Sequence, residues 1–274
     1  MSTTQTQTSR QPTIGDLIKD WRGRRRMSQL DLALEAGVSQ RHLSFVESGR
    51  SSPSRDMVEM LAETLGLPLR ERNILLLAAG YAPAYAARDL SDPAMRAAMA
   101  VVEKVLKGHE PNPALAVDRH WRMVMRNAAV APLMTLVADK SLLEGRPNVL
   151  RLSLHPGGLA PHIVGLAGWK AHALHRLRQQ IEATADAELM ALETELAGYP
   201  APAKGPVRRA EAADSIAIPF ELLVGGQKLS FITTTTIFGT PADVTLSELA
   251  VEAFFPADDA TAAAMAAMMR GLAN

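Results

Sequence analysis

Apolar positions recur every three to four residues through the first 80 positions of the chain, in short bursts punctuated by Ser, Gly and Pro. That period belongs to amphipathic helices, and the punctuation predicts five short ones before Gly80. Thr13 is placed to cap a helix from Ile14 to about Arg26. Ser28 caps a second, with Asp31 as its capping-box partner and Gly37 where a left-handed turn is needed. Ser39 caps a third helix, which Gly49 ends. Ser52 or Ser54 opens a fourth with Pro53 in its first turn, and Gly66 and Pro68 separate it from a fifth.

Past Gly80 the pattern changes. Pro83 and Ser91–Asp92–Pro93 mark a hinge, and a helix is predicted from Pro93 to Gly108. Met95, Ala98, Met99, Val102, Val105 and Leu106 form its apolar stripe, a core face or a dimer seam. After Glu110–Pro111–Asn112–Pro113, the runs Ala114–Asp118 and Trp121–Arg126 read as a hairpin turning at Arg119–His120. Asn127 is placed to cap a helix from Ala128 to about Val137. Helices follow over His162–Ile181 and Asp186–Ala197, then a loop over Tyr199–Pro206. Ile216, Ile218, Phe220, Leu222 and Val224 then alternate with other residues, the period of a strand. Gly225–Gly226 is a hairpin turn, Leu229–Phe238 and Leu249–Phe255 are further strands, and Thr261–Leu272 is a closing helix. The expected architecture is an all-α five-helix domain followed by an α+β domain. The latter is a five-stranded antiparallel sheet with helices over one face. The predicted division is an arm over 1–12, the helical domain over 13–80, a linker and connecting helix over 81–110, and the α+β domain over 111–274.

The stretch Gln29–Ser48 carries the sharpest signal. A helix-turn-helix crosses two helices steeply over a very short turn. It needs a small residue where the helices cross, a turn residue tolerant of positive φ, and apolar residues facing inward. Ala33, Gly37, and the set Leu32, Ala36, Val38, Leu43 and Val46 meet all seven requirements. A generic helical hairpin is the plainer alternative.

Over about Ile14–Pro68 the chain resembles the Cro/repressor-like, or XRE, family of five-helix DNA-binding domains, and both Gln29 and Gln40 begin their helices as in phage repressors of that type. The resemblance implies that Gln40–Glu47 is the recognition helix, with its N-terminal side chains in the major groove. The residue chemistry suits that role. Gln40 can pair with adenine N6 and N7, Arg41 with guanine O6 and N7, and His42 and Ser44 can donate or accept. Ser28, Gln29 and Ser39 lie where helix N-termini approach phosphates, and Arg50 and Arg55 are candidate phosphate clamps. Phe45 is open between a thymine methyl contact and the core, and Glu47 is expected in an internal ion pair in preference to a cytosine contact. Arg24, Arg25 and Arg26 suit the helix dipole, a phosphate, or both.

Composition narrows the classes. The 274 residues contain no cysteine, which excludes disulfides, thiolate catalysis and cysteine-ligated zinc. Net charge is zero, but residues 1–55 hold nine Lys/Arg against five Asp/Glu, a balance of +4, and the remainder holds −4. Basic charge gathered at one end is the footprint of a DNA-binding head, or a solvated face with chance asymmetry. Residues 1–11 are rich in Ser, Thr and Gln, read as a disordered arm and lack a signal peptide's apolar stretch. No apolar run approaches the roughly 20 residues of a membrane span. A cytoplasmic protein without membrane insertion is expected.

A hairpin followed directly by Asn127-Ala-Ala and a short helix resembles the opening of PAS sensor domains. His109–Trp121, Asn127, Asn148–Gly157, Arg41–Arg50 and Asn73–Tyr85 extend this to a resemblance over nearly the whole chain to MmyB-like regulators. That family implies a PAS-like ligand-binding domain and, for the effector, a fatty acyl-like molecule. Trp121, Met123, Met125, Asn127, Trp169, Phe220 and Phe231 are the candidate pocket residues, each of which could equally be plain core.

Other chemistry falls away. Histidines 155, 162, 172 and 175 cluster in sequence, but no carboxylate sits four residues after His172 or His175, and solvated or structural histidines are the expectation over a metal. No Gly-x-Ser-x-Gly elbow or phosphate-binding Gly loop is present. Ala79–Gly80 resembles the scissile bond of self-cleaving repressors, but no Ser/Lys dyad accompanies it, and Gly80 serves as a helix C-cap. The expectation is a regulator, not an enzyme, and one without a cofactor. Its partners would be double-stranded DNA, a small apolar effector and a second copy of itself. The rivals are a constitutive DNA-binding dimer whose second domain only oligomerises, and an enzyme fused to a DNA-binding head.

Overall fold

The computed structural model describes residues 12–201 and 219–272, in two compact units, the first ending its main run at Ala87 and the second starting at Arg88, with Glu182–Thr184 grouped with the first. The expected N-terminal arm and the strand positions Ile216 and Ile218 lie outside the described residues.

The first unit holds five helices: α1 (Ile14–Arg24), α2 (Gln29–Glu35), α3 (Gln40–Glu47), α4 (Arg55–Thr64) and α5 (Leu69–Ala78). Thr13 and Ser28 cap α1 and α2 with full capping boxes to Asp16 and Asp31, and Ser39 caps α3 through the His42 amide. Ser54, not Ser52, caps α4, so Pro53 lies before the helix and not in its first turn. There Pro53 is buried, and its carbonyl accepts from the Tyr81 hydroxyl at 3.0 Å. Gly37 turns α2 into α3 at φ 66°, and Leu32, Ala33, Ala36, Leu43 and Val46 are buried behind it, with Val38 half-buried. One requirement of this packing is not local. A Cβ on Gly15 of α1 would lie 2.6 Å from the Val46 carbonyl oxygen and 2.7 Å from that of Glu47. Only glycine lets α1 meet the last turn of α3 this closely.

In the second unit a 3-10 turn at Pro93–Met95 leads into α6 (Arg96–Gly108). Then come β1 (Ala114–Val117), β2 (Met123–Arg126), α7 (Ala131–Met134), α8 (Val149–Leu154), α9 (Leu166–Thr184) and α10 (Ala187–Gly198). After these follow β3 (Phe220–Val224), β4 (Gln227–Ile237), α11 (Val244–Ser247), β5 (Ala250–Pro256) and α12 (Asp259–Leu272). The strands form an antiparallel five-stranded sheet in the order β2-β1-β5-β4-β3, the expected PAS-like layout.

Several expectations need correcting. Helices cover both faces of the sheet, not one. Leu115, Val117, Phe220, Leu222 and Phe231 pack on the face shared with α7 to α10 and α12. Ala114, Ala116 and Val251 pack on the other, under Val102 and Leu106 of α6. Val105 is off that buried stripe, about half exposed. The helix after Asn127 is a 3-10 turn and then a single α turn containing Pro132. The Asn127 side chain does not cap it; the Glu110 carboxylate accepts from the Ala128 amide instead, at 3.0 Å. Helix α8 is an addition, opened by the Asn148 side chain, which accepts from the Leu150 and Arg151 amides. Helix α9 starts at Leu166, after Gly165 at φ 70°, and not at His162.

Candidate functional site

Two sites can be built from the residues upward, one in each unit. In the first, the 3.6-residue period of α3 sorts its side chains. Leu43 and Val46 are fully buried. Gln40, Arg41 and His42 are exposed, and Ser44 and Phe45 are half-buried. The Arg41 guanidinium lies 5.4 Å from the Phe45 ring centroid, so the two side chains share one face. Arg50 is exposed, just past Gly49 at φ 72°. Arg55 opens α4, exposed and paired with Glu59 at 3.1 Å.

Glu47 sits at the other side of α3. Its carboxylate accepts from Arg22 Nε at 2.8 Å and Nη2 at 3.0 Å, and from Gln29 Nε2 at 2.7 Å. This is the internal ion pair expected of Glu47, and it ties α3 to α1 and α2. It also places Gln29, a candidate phosphate contact, in an intramolecular bond. Burial alone would raise the Glu47 pKa, but the hydrogen bonds from Arg22 and Gln29 outweigh it and hold the carboxyl below its ordinary value. Ser28 and Ser39 are exposed and accept from their own helix N-termini. In the basic cluster, Arg24 pairs with Asp20 and Arg25 Nε donates to the Leu65 carbonyl, which gives both a structural role.

The second site is an apolar cavity of about 90 Å³ between the sheet and the helices. Trp121, Met123, Trp169 and Phe220 are in its wall, with Leu133 and Met134 of α7 and Leu152 of α8. Three other sequence candidates stand elsewhere. Phe231 is in the core, fully buried and edge-on to Phe254. Asn127 is a buried strut: its Nδ2 donates to the Leu106 and Asn112 carbonyls at 3.0 and 2.8 Å, and its Oδ1 accepts from the Ala114 amide at 3.1 Å. Met125 packs with the α6 side of the sheet. Simple alternation puts Met123 and Met125 on one face, but a bulge intervenes. Ala116 pairs with Met125, and its neighbour Val117 pairs with Met123, so the extra residue Val124 sends the two methionines to opposite faces.

Trp121 is in the turn after β1, not in a strand, and takes φ 64°, a left-handed conformation that costs energy for a bulky side chain. Its surroundings hold it there. The Trp121 amide donates to Asp118 and its carbonyl accepts from the Val149 amide, while its indole N–H donates to Gln180 Oε1 at 2.7 Å. Trp169 donates its indole N–H to Ser153 Oγ at 2.7 Å and packs on Phe220 with ring centroids 4.6 Å apart.

Sequence reasoning missed the polar part of the wall. Arg176 of α9 and Glu252 of β5 both line the cavity and pair at 2.9 Å. Thr235 completes a triangle, accepting from Arg176 Nη2 at 2.9 Å and donating to Glu252 Oε1 at 2.7 Å. The guanidinium lies 4.9 Å from the Trp121 ring centroid. A Glu in the middle of an apolar strand was the available signal. Burial, with Arg176 and His175 nearby, lowers the pKa of His172, which favours the neutral imidazole. No group of His, Asp or Glu among the described residues has the arrangement of a metal site, and no described helix is long and apolar enough to cross a membrane.

Comparison with known families agrees with this division. Residues 18–72 match the model of the helix-turn-helix domain, and residues 98–268 match that of the MmyB-like transcription regulator ligand binding domain. No curated protein matches the chain.

Proposed function

The chain belongs to the MmyB-like transcription regulators, and from that premise we propose that it is a homodimer that reads operator DNA through α3 and answers to a small apolar, fatty acyl-like effector held in the second unit. The observation that carries the effector half is the cavity, lined mostly by aromatic and aliphatic side chains, with the two charged side chains of its wall, Arg176 and Glu252, paired to each other. Such a site rewards an apolar ligand and offers water little. It is smaller than the roughly 150 Å³ apolar cavity that takes up benzene. A longer chain therefore enters as the walls give, and Met123 and Met134, unbranched and polarisable, suit that adjustment. For the effector to regulate, it must bind the DNA-competent and DNA-incompetent states unequally. Dimerisation is proposed because heads of this kind read half-sites about one helical turn apart.

The test selects duplexes from a random pool with the full-length protein. It then compares Gln40→Ala/Arg41→Ala with wild type on the selected sequence and on bulk duplex. Loss of each bidentate contact should weaken selected-site binding by about tenfold or more, with bulk binding little changed. Unchanged affinity for the selected site would remove α3 as the reading helix. Native mass spectrometry of freshly purified protein tests the second unit. A dimer carrying an apolar small molecule supports the sensor, whereas a clean apo dimer favours a domain that only oligomerises.

A further inference from the structure

Taking the cavity as the effector site, as proposed above, we infer that it selects an uncharged apolar molecule, such as an alcohol, ester or amide, and rejects the corresponding free carboxylate. The wall contains two charged side chains, Arg176 and Glu252, and they neutralise each other. Arg176 Nη2 and Nη1 face Glu252 Oε1 and Oε2 at 2.9 and 3.3 Å, and Thr235 bridges the two. The negative partner is the deeper one: the Glu252 side chain is 7% exposed and that of Arg176 is 27%. The indole N–H groups of the wall are also engaged, Trp121 by Gln180 and Trp169 by Ser153. Among the described residues no buried side-chain nitrogen or oxygen lacks a partner.

A cation waiting for a ligand carboxylate would be exposed to the cavity without a fixed counter-charge. Arg176 is instead clamped by a carboxylate that belongs to the protein. A fatty acid anion entering this space has two options. It can sit beside Glu252, adding a like charge in a low-dielectric wall. It can also take Arg176 for itself, leaving the buried Glu252 carboxylate without a counter-charge and with only the Thr235 hydroxyl as a donor. Both are costly, because a buried carboxylate stripped of its partner keeps its desolvation penalty without the offsetting attraction. A neutral ligand of the same length avoids both, and its head can accept a hydrogen bond from the guanidinium without displacing Glu252.

The chain supplies its own reporter. Trp121 and Trp169 line the cavity, and Trp21 is buried in the first unit and provides a constant background. Intrinsic fluorescence of the full-length protein is titrated with n-octanol, methyl octanoate and octanoate at a pH where the acid is ionised. The two neutral compounds are expected to bind, with octanoate at least about tenfold weaker. In Glu252→Gln, shown to be folded by circular dichroism, the ratio should shift by about tenfold or more toward octanoate, since Arg176 is then released to pair with it. Octanoate binding as tightly as n-octanol to wild type would overturn the charge selectivity and leave the cavity as the effector site. A ratio unmoved by Glu252→Gln would overturn it too. Should that variant not fold, the wild-type comparison decides alone. Absence of any response to all three compounds would remove the cavity as an apolar effector site, and the charge selectivity with it.

Discussion

Replacing Glu47 by Ala should destabilise the first unit far more than its single ion pair would suggest from sequence. The Glu47 side chain is 4% exposed and accepts three hydrogen bonds, two from Arg22 and one from Gln29. Removal leaves the Arg22 guanidinium, 15% exposed, with the Met27 carbonyl as its remaining bond at 2.9 Å. Breaking a buried pair by deleting one partner costs about 3–5 kcal/mol, and the retained carbonyl bond puts this case near the lower end, about 3 kcal/mol. For a domain of this size each kcal/mol moves the midpoint by about 4–8 °C, so the first unit should melt at least about 10 °C lower. The assay is calorimetry of the full-length protein, with Glu59→Ala as comparator. Glu59 pairs with Arg55 at 3.1 Å, but both side chains are about 40% exposed, and such a pair contributes about 0.5 kcal/mol or less. A Glu47→Ala shift no larger than that of Glu59→Ala would refute the reasoning. The pH dependence gives a second check. The folded pKa of Glu47 lies below its ordinary value, so its contribution is fully present above about pH 4.3 and fades as pH falls through the depressed pKa. The gap between wild type and Glu47→Ala should therefore narrow in acid and hold steady toward neutrality.

Gly15→Ala would drive a methyl to within 2.6–2.9 Å of the backbone of Val46 and Glu47, and overpacking against backbone costs about 1–3 kcal/mol; the urea midpoint of the first unit and affinity for selected duplex should both fall. Asn127→Ala strips partners from the Ala114 amide and from the Leu106 and Asn112 carbonyls. It should lower the melting transition of the second unit by the equivalent of about 2–4 kcal/mol, read by calorimetry. Met123→Ala should change n-octanol affinity measurably while Met125→Ala leaves it alone, since only Met123 lines the cavity.

The first unit was legible because its signals are local. Thr13, Ser28 and Ser39 cap helices that begin at the next residue, and Gly37, Gly49, Gly66 and Gly80 take positive φ where their helices end. Each of these is a relation across a few positions. What stayed hidden were relations across the fold. Gly15 looks like any glycine in a first helical turn until Val46 and Glu47, some thirty residues on, close against it. Gln29 has the position of a phosphate contact by resemblance, and its bond to Glu47 follows only from where α3 ends.

The cavity shows the same division at higher stakes. Large apolar residues in strands and helices announce a core, and four of the seven candidates do face the cavity: Trp121, Met123, Trp169 and Phe220. The other three do not line it, for definable reasons. One inserted residue at Val124 breaks the period-two rule for Met125. Asn127 substitutes for a strand rung, its Oδ1 taking the Ala114 amide while its own amide donates to the Ala114 carbonyl. Phe231 lies behind the wall, against Phe254. The feature that bears most on selectivity is the Arg176–Thr235–Glu252 triangle, drawn from a helix and two strands spread over 76 positions. Apolar residues alone would define a pocket indifferent to charge. The triangle makes the wall polar yet neutral, so what the cavity accepts is decided as much by a carboxylate the protein already holds there as by the space it leaves open.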